Sequence, residues 1–294
     1  MLVALGVAAA LALTARLIYP RFIERRERSR FVLGPDGIIP GAAMITQARA
    51  NATGVLLLHG GGDTPQVLSD LAEYLYRRGF SVVVPLLAGH GRGLMELATM
   101  NSAAIFADAK RHFDAMRATH RSVAVVGLSM GGALAIELVA ERDDVAALVL
   151  LAPYVAMPVA LGRMAALSAS WGWLLPYFSS RGEQSIHDRI AAGRALSRGV
   201  LTPAALRTLY DFVLRATTAL PRVRAPTLFI QSREDNRISR ANAERAFALL
   251  GAQEKRLEWV EGAGHVITVD FGRERVFELT AAWLEAHTRR AAAT

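Results

Sequence analysis

The chain has 294 residues, 52% hydrophobic and 20% charged, which supplies a large core and excludes global disorder. It has no cysteine, which excludes disulfides, thiolate metal sites and a cysteine nucleophile together. Half of its formal net charge of +8 falls in residues 16–30, as Arg16, Arg21, Arg25, Arg26, Arg28 and Arg30 against Glu24 and Glu27; with no RNA-type aromatic motif or zinc-finger spacing nearby, this distribution argues against nucleic acid as a partner.

Residues 2–13 carry no charge, and apolar character resumes after Arg16 with Leu17, Ile18 and Tyr19. A helix over 2–19 is about 27 Å long at 1.5 Å per residue, close to the thickness of a bilayer core. A cleavable signal peptide carries positive charge ahead of its apolar stretch, whereas here the arginines follow it. Residues 1–19 are therefore read as an uncleaved membrane-anchor helix, with Arg16 snorkelling to the interface and 20–30 as an Arg-rich neck. A cleaved leader and a soluble helix packed on a partner are the alternatives. By the positive-inside rule the protein is expected to be membrane-associated, with its catalytic domain on the cytoplasmic side.

From residue 31 short β-branched runs alternate with longer helical ones. Strands are predicted over 55–59, 81–85, 122–127, 147–151, 227–231 and 256–260, mostly continuous apolar runs of the kind buried on both faces of a parallel sheet. Helical patterns lie between them at 66–78, 96–120, 130–142, 240–250 and 273–288. The alternation predicts an α/β fold, a mostly parallel central sheet flanked by helices, with weaker runs at 30–33 and 42–46 as antiparallel edge strands. The pattern fails over 153–226, which has no good strand and holds the densest aromatic cluster, built from Trp171, Trp173, Leu174, Leu175, Tyr177 and Phe178. Helical stretches follow near 185–195 and 203–216. The span is expected to form a helical cap over the C-terminal ends of the strands, with 31–152 and 227–294 as the core and the aromatic cluster lining an apolar entrance for substrate or touching lipid.

Gly127-Leu128-Ser129-Met130-Gly131 fits G-x-S-x-G in the strand–turn–helix setting that the motif needs. Larger side chains at the flanking glycines would collide with strand and helix, and the helix N-terminus favours negative charge beside the serine. A serine hydroxyl is a weak nucleophile and needs a histidine base oriented by a carboxylate. Three histidines follow Ser129: His187 in the cap, His287 in the last helical turn, and His265 in a glycine-rich loop after a strand, which makes His265 the candidate base. Glu234 and Asp235 share the loop after 227–231; Asp235 is favoured as the acid, with Glu234 its surface neighbour, while Asp270 is expected to cap the last helix. An oxyanion hole takes two backbone N–H donors, Met130 after the serine and Gly61, with Gly62 as alternative, in the run His59-Gly60-Gly61-Gly62-Asp63. His59 and Gly89-His90-Gly91 are read as supports for loops lining the site. No metal-ligand spacing is present, and the chemistry calls for neither metal nor cofactor.

Leu58-His59-Gly60, Gly89-His90-Gly91, Gly127 to Gly132, Asp235 and Gly264-His265-Val266-Ile267-Thr268-Val269-Asp270 together resemble the bacterial carboxylesterase/monoacylglycerol lipase branch of the α/β-hydrolase superfamily, over roughly residues 50–288. The resemblance implies hydrolysis of a small-molecule or lipid ester through an acyl-enzyme, with a helical cap forming the acyl pocket. Two departures are visible: Gly61 stands where the branch often has a bulky residue, which implies a wider oxyanion loop, and the insertion is longer than a minimal cap. The rival readings are a thioesterase, lysophospholipase or peptidase on the same three residues and, from another class, a non-catalytic membrane-bound binding module.

Overall fold

A computed structural model describes residues 2–179 and 185–288. Residue 1, 180–184 and 289–294, which the expected anchor, cap and core segments include, lie outside the described residues. The first helix, α1 (Leu2–Arg30), runs through Pro20 without a break, so the expected neck is helical and continuous with the apolar segment. Its fourfold spacing explains why: Tyr19, Ile23 and Glu27 share one face, and Ile23 is buried against Tyr177 and Val200. Among the described residues no helix is long and apolar enough to cross a membrane. Most side chains on which the spanning expectation rested, in residues 1–5, 8–12 and 15, lie outside the described residues.

Seven strands form the sheet: β1 (Ile45–Gln47), β2 (Gly54–Leu58), β3 (Ser81–Val84), β4 (Val123–Leu128), β5 (Leu148–Leu151), β8 (Thr227–Ser232) and β9 (Lys255–Val260), in the spatial order β1-β3-β2-β4-β5-β8-β9. Only β1 is antiparallel, with Ile45 opposite Val84; the other six are parallel. β2 and β4 are buried along their whole length. Their side chains alternate between two cores, Leu56, Leu58, Val123 and Val125 on one face, Val55, Leu57, Ala124 and Val126 on the other. The first core lies under α4 (Ser102–Thr119) and α5 (Met130–Ala140), the second under α2 (Ser69–Arg77) and α11 (Arg273–Thr288). Each buried aliphatic side chain contributes about 1.5–3 kcal/mol, so the central strands anchor the fold.

The weaker sequence signals divide. The run at 42–46 contributes β1, whereas 30–33 is no strand: Arg30 ends α1 and Phe31 folds onto Ile39 and Ala42. The helical pattern predicted over 96–120 is two helices, α3 (Leu94–Ala98) and α4, because Asn101 caps the second by accepting the Ala104 N–H at 2.7 Å.

Between β5 and β8 lie α6 (Val159–Ala166), α7 (Ser168–Trp171), α8 (Arg189–Arg194) and α9 (Pro203–Ala219). Against expectation the span also holds two short strands, β6 (Phe178–Ser179) and β7 (Val200–Leu201), paired antiparallel. Two residues apiece are too short to leave a periodic signal. After β8 comes α10 (Arg240–Leu249), and short 3-10 turns lie at Pro65–Leu68 and Leu220–Arg222.

Candidate active site

The turn between β4 and α5 holds Ser129 at φ 54°, ψ −118°, a left-handed backbone forced on a non-glycine residue. Its N–H donates to Leu151 O of β5 at 3.0 Å, and its carbonyl accepts the N–H groups of Gly132, Ala133 and Tyr154, so strand, helix and the chain after β5 all grip the turn. Glycine is required on either side. A Cβ at Gly127 would lie 2.7 Å from Gly132 Cα, and one at Gly131 would lie 2.6 Å from His59 O. Helix and sheet thus meet at backbone distance, and the hydroxyl projects from the sheet edge.

The loop after β9 brings His265 over that edge. Its Nε2 stands 2.7 Å from Ser129 Oγ and its Nδ1 2.8 Å from Asp235 Oδ2, so an Nδ1–H donates to the carboxylate and leaves Nε2 to accept the serine proton. The three residues predicted from sequence meet across 136 and 30 positions of chain. Asp235 Oδ2 also accepts from Gln231 Nε2 at 2.6 Å, and its Oδ1 accepts the N–H groups of Arg237 and Ile238 at 2.7 and 2.9 Å. Burial pushes this carboxyl up, but the hydrogen bond and charge of His265 and the two N–H donors hold it below the usual carboxylate range. Glu234 faces elsewhere, accepting from Ser232 Oγ and Gly262 N–H.

Met130 opens α5 with its side chain fully buried, and Gly61 lines the same cavity as Ser129 and His265. The space at Gly61 is not open, as the missing side chain implied. A Cβ there would lie 2.9 Å from Leu209 Cδ2 and 3.4 Å from Met130 Sδ, so Leu209 of α9 occupies the room that a bulky residue would take. His59 and His90 stand behind this loop, rings edge to face at 4.9 Å. His59 Nδ1 donates to Gly60 O and its Nε2 accepts the Leu87 N–H, which ties the loops after β2 and β3 together. Burial and the charge of His90 pull His59 down to about 3, and burial pulls His90 down to about 4, so both are neutral supports.

The cavity over Ser129 measures about 300 Å³. Its apolar wall is Leu161, Ile186, Leu201, Leu206 and Leu209 from the cap, and Tyr154 closes it beside His265, the rings 6.3 Å apart. None of Trp171, Trp173, Leu174, Leu175, Tyr177 and Phe178 lines it, which corrects the expectation of an aromatic entrance. Tyr177 is buried against α1, Trp171 packs edge to face on Phe178 and donates to Met164 O, and Trp173 is exposed and donates to Ser170 O. The cavity over the serine is lined instead by shorter aliphatic residues from four segments, α6, the chain before α8, β7 and α9.

Sequence reasoning missed three groups at the site. Asp63 is buried in the cavity wall and accepts from Ser197 Oγ; burial pushes its carboxyl up, against that hydrogen bond and the charge of His265. Arg198 lines the cavity from the cap and pairs with Glu27 of α1 at 3.0 Å. Asp270 is not a helix cap. It accepts the N–H groups of His187, Asp188, Gly264 and Phe271, which latches the cap onto the loop that carries His265. Only the partner backbone, distant in sequence, distinguishes such a carboxylate from a cap. His187 donates toward Gly262 O, and His287 stacks on Trp283, both outside the site.

A model of the family described as serine aminopeptidase, S33, matches residues 49–271, which leaves α1 outside the match. The thermostable monoacylglycerol lipase of Bacillus sp. (strain H-257) is 26% identical over 240 residues, 82% of this chain and 93% of that protein. The monoglyceride lipase of Homo sapiens is 28% identical over 228 residues, 72% of this chain and 75% of that protein. Among solved structures, a metagenome-derived lipolytic enzyme described with LipS and LipT superposes with a TM-score of 0.79 at 28% identity, covering 85% of this chain and all of that one.

Proposed function

The chain belongs to the serine aminopeptidase S33 family of α/β-hydrolases, and on that premise we propose that it is a serine esterase/lipase cleaving carboxylic esters with an apolar acyl chain. The observation that carries this reading is the Ser129–His265–Asp235 relay, at 2.7 and 2.8 Å, opening into a cavity walled by leucine and isoleucine. The relatives' ester chemistry points the same way.

In the first step Ser129 Oγ attacks the ester carbonyl carbon while His265 Nε2 takes its proton, and Asp235 holds the resulting imidazolium. The carbonyl electron pair moves onto oxygen, which the N–H groups of Met130 and Gly61 receive. Collapse of this intermediate expels the alcohol, which takes the proton back from His265, and leaves an acyl group on Ser129. Water, deprotonated by the same imidazole, then releases the acid and restores the hydroxyl. Leu161, Ile186, Leu201, Leu206 and Leu209 give the cavity an apolar side that suits an acyl chain, while Asp63, Ser197 and Arg198 give it a polar one.

Replacing Ser129 by Ala is expected to lower kcat on p-nitrophenyl esters by about 10⁴-fold or more with the fold intact. Turnover retained in that variant overturns the mechanism, and a fluorophosphonate probe that labels nothing at Ser129 favours a non-catalytic binding module. We further place the enzyme at a membrane surface with its catalytic domain on the cytoplasmic side, a reading supported by the uncharged stretch 2–13 and the basic residues that follow it.

A further inference from the structure

The oxyanion loop is held from the cap by three consecutive residues. Leu196 N–H donates to Gln66 Oε1 at 3.3 Å, Ser197 Oγ donates to Asp63 Oδ1, and Arg198 N–H donates to Gly62 O at 3.0 Å. This strap lies directly over the loop whose Gly61 N–H the mechanism uses. It is held in turn from behind, by a helix outside the family match. Arg198 Nη1 meets Glu27 Oε2 of α1 at 3.0 Å, with the two side chains 7% and 1% exposed, and its Nη2 donates to Arg92 O. Two residues on, Val200 packs with Ile23 of α1 and Tyr177, all buried.

The pair has a consequence for the loop. A buried guanidinium that loses its carboxylate must reach water or another acceptor, because an unpaired buried charge is far costlier than a paired one. Glu27, the Arg92 carbonyl and the Phe31 ring, 5.0 Å from the guanidinium, hold the Arg198 side chain at its outer end, and the backbone N–H of the same residue is the donor to Gly62 O. Oxyanion donors act only within a narrow distance of the developing charge, so a small shift of Gly61 and Gly62 is felt in the transition state more than in substrate binding.

We propose that Glu27 is a positioning residue for ester hydrolysis: through Arg198 it fixes the strap that holds the oxyanion loop, which makes α1 a working part of the active site. The inference rests on the serine-hydrolase reading above. It assigns α1 a role that a tether alone does not have.

The test uses the full-length chain and Glu27→Gln, an isostere that removes the negative charge facing Arg198. On a soluble p-nitrophenyl ester kcat is expected to fall about 10- to 100-fold, with KM within about twofold. Affinity for an alkylboronic acid, whose tetrahedral adduct uses the same N–H donors, is expected to fall in parallel. A folded Glu27→Gln enzyme with unchanged kcat, or with only KM raised, overturns the proposal. The route is checked by the cycle with Arg198→Met: in that background, adding Glu27→Gln is expected to change kcat less than twofold, and independent, multiplying effects overturn it. If Glu27→Gln does not fold, Ile23→Ala loosens the same helix without exposing a charge; the loss of kcat at constant KM is again expected, and its absence again overturns the proposal. Fluorophosphonate labelling of the wild-type Ser129 separates the two levels. Failure to label removes the serine-hydrolase reading itself, whereas labelling with an unaffected Glu27→Gln removes this inference alone.

Discussion

Ser129 sits in a backbone conformation that costs an ordinary residue roughly 1–3 kcal/mol, and four backbone groups, from β5, α5 and the chain after β5, hold it there. The surrounding side chains are chosen for what they leave free. Gly127 and Gly131 leave room for the helix, and Gly61 leaves room for Leu209. The two buried histidines behind the site make a measurable demand on pH. Folding pulls His59 down to about 3 and His90 to about 4, whereas both titrate near 6.5 in the unfolded chain. Below that value the unfolded state binds more protons than the folded one, so stability is full above about pH 6.5 and falls as pH drops toward 4 and then 3. Each histidine contributes up to about 1.4 kcal/mol per pH unit in that window. Urea unfolding at pH 7.5, 6 and 5 measures the slope, and His90→Asn is expected to flatten it; an unchanged slope contradicts the assignment.

At the level of elements, loops from opposite ends of the chain converge on one sheet edge, and Asp270 is the joint between them. Four N–H groups, two from the cap at His187 and Asp188, one from Gly264 beside His265 and one from the adjacent Phe271, end on its carboxylate. Asp270→Ala strands those donors in a buried place. The expected loss is about 3–5 kcal/mol, seen as a drop in Tm on the order of 10 °C, with kcat reduced because the His265 loop loosens with the cap. A Tm within 2 °C of wild type, about the shift of a ΔΔG below 1 kcal/mol, would show that the latch carries little. The aromatic cluster shows why such roles resist reading from sequence. Trp171, Trp173, Tyr177 and Phe178 are dense in the chain, and density suggested a ligand wall, yet they pack outward and against α1. The wall itself comes from Leu161, Ile186, Leu201, Leu206 and Leu209, each unremarkable in its own segment.

For the molecule as a whole, the amino-terminal helix is where the two halves of the reading meet. Its carboxyl-terminal part docks on the cap through Ile23 and Glu27, while residues 2–13 carry no charge. The proposed membrane placement is tested by a carbonate wash of fractionated cells: it expects the protein in the pellet, and a full-length protein found wholly in the soluble fraction would overturn it. By itself the chain determined the α/β alternation, the positions of the six parallel strands to within a residue or two, the strained serine turn and the candidates Asp235 and His265. These were legible because each rests on local physics: continuous apolar runs, glycines where backbones approach, and one histidine in a flexible post-strand loop. Only the tertiary structure decided that Leu209 fills the space at Gly61, that Asp270 joins cap to core, that the tryptophans face away from the serine, and that Arg198 ties α1 to the oxyanion loop. Those contacts join residues as many as 171 positions apart, and nothing in a local window records which buried partner a polar or apolar side chain will meet once the sheet has closed.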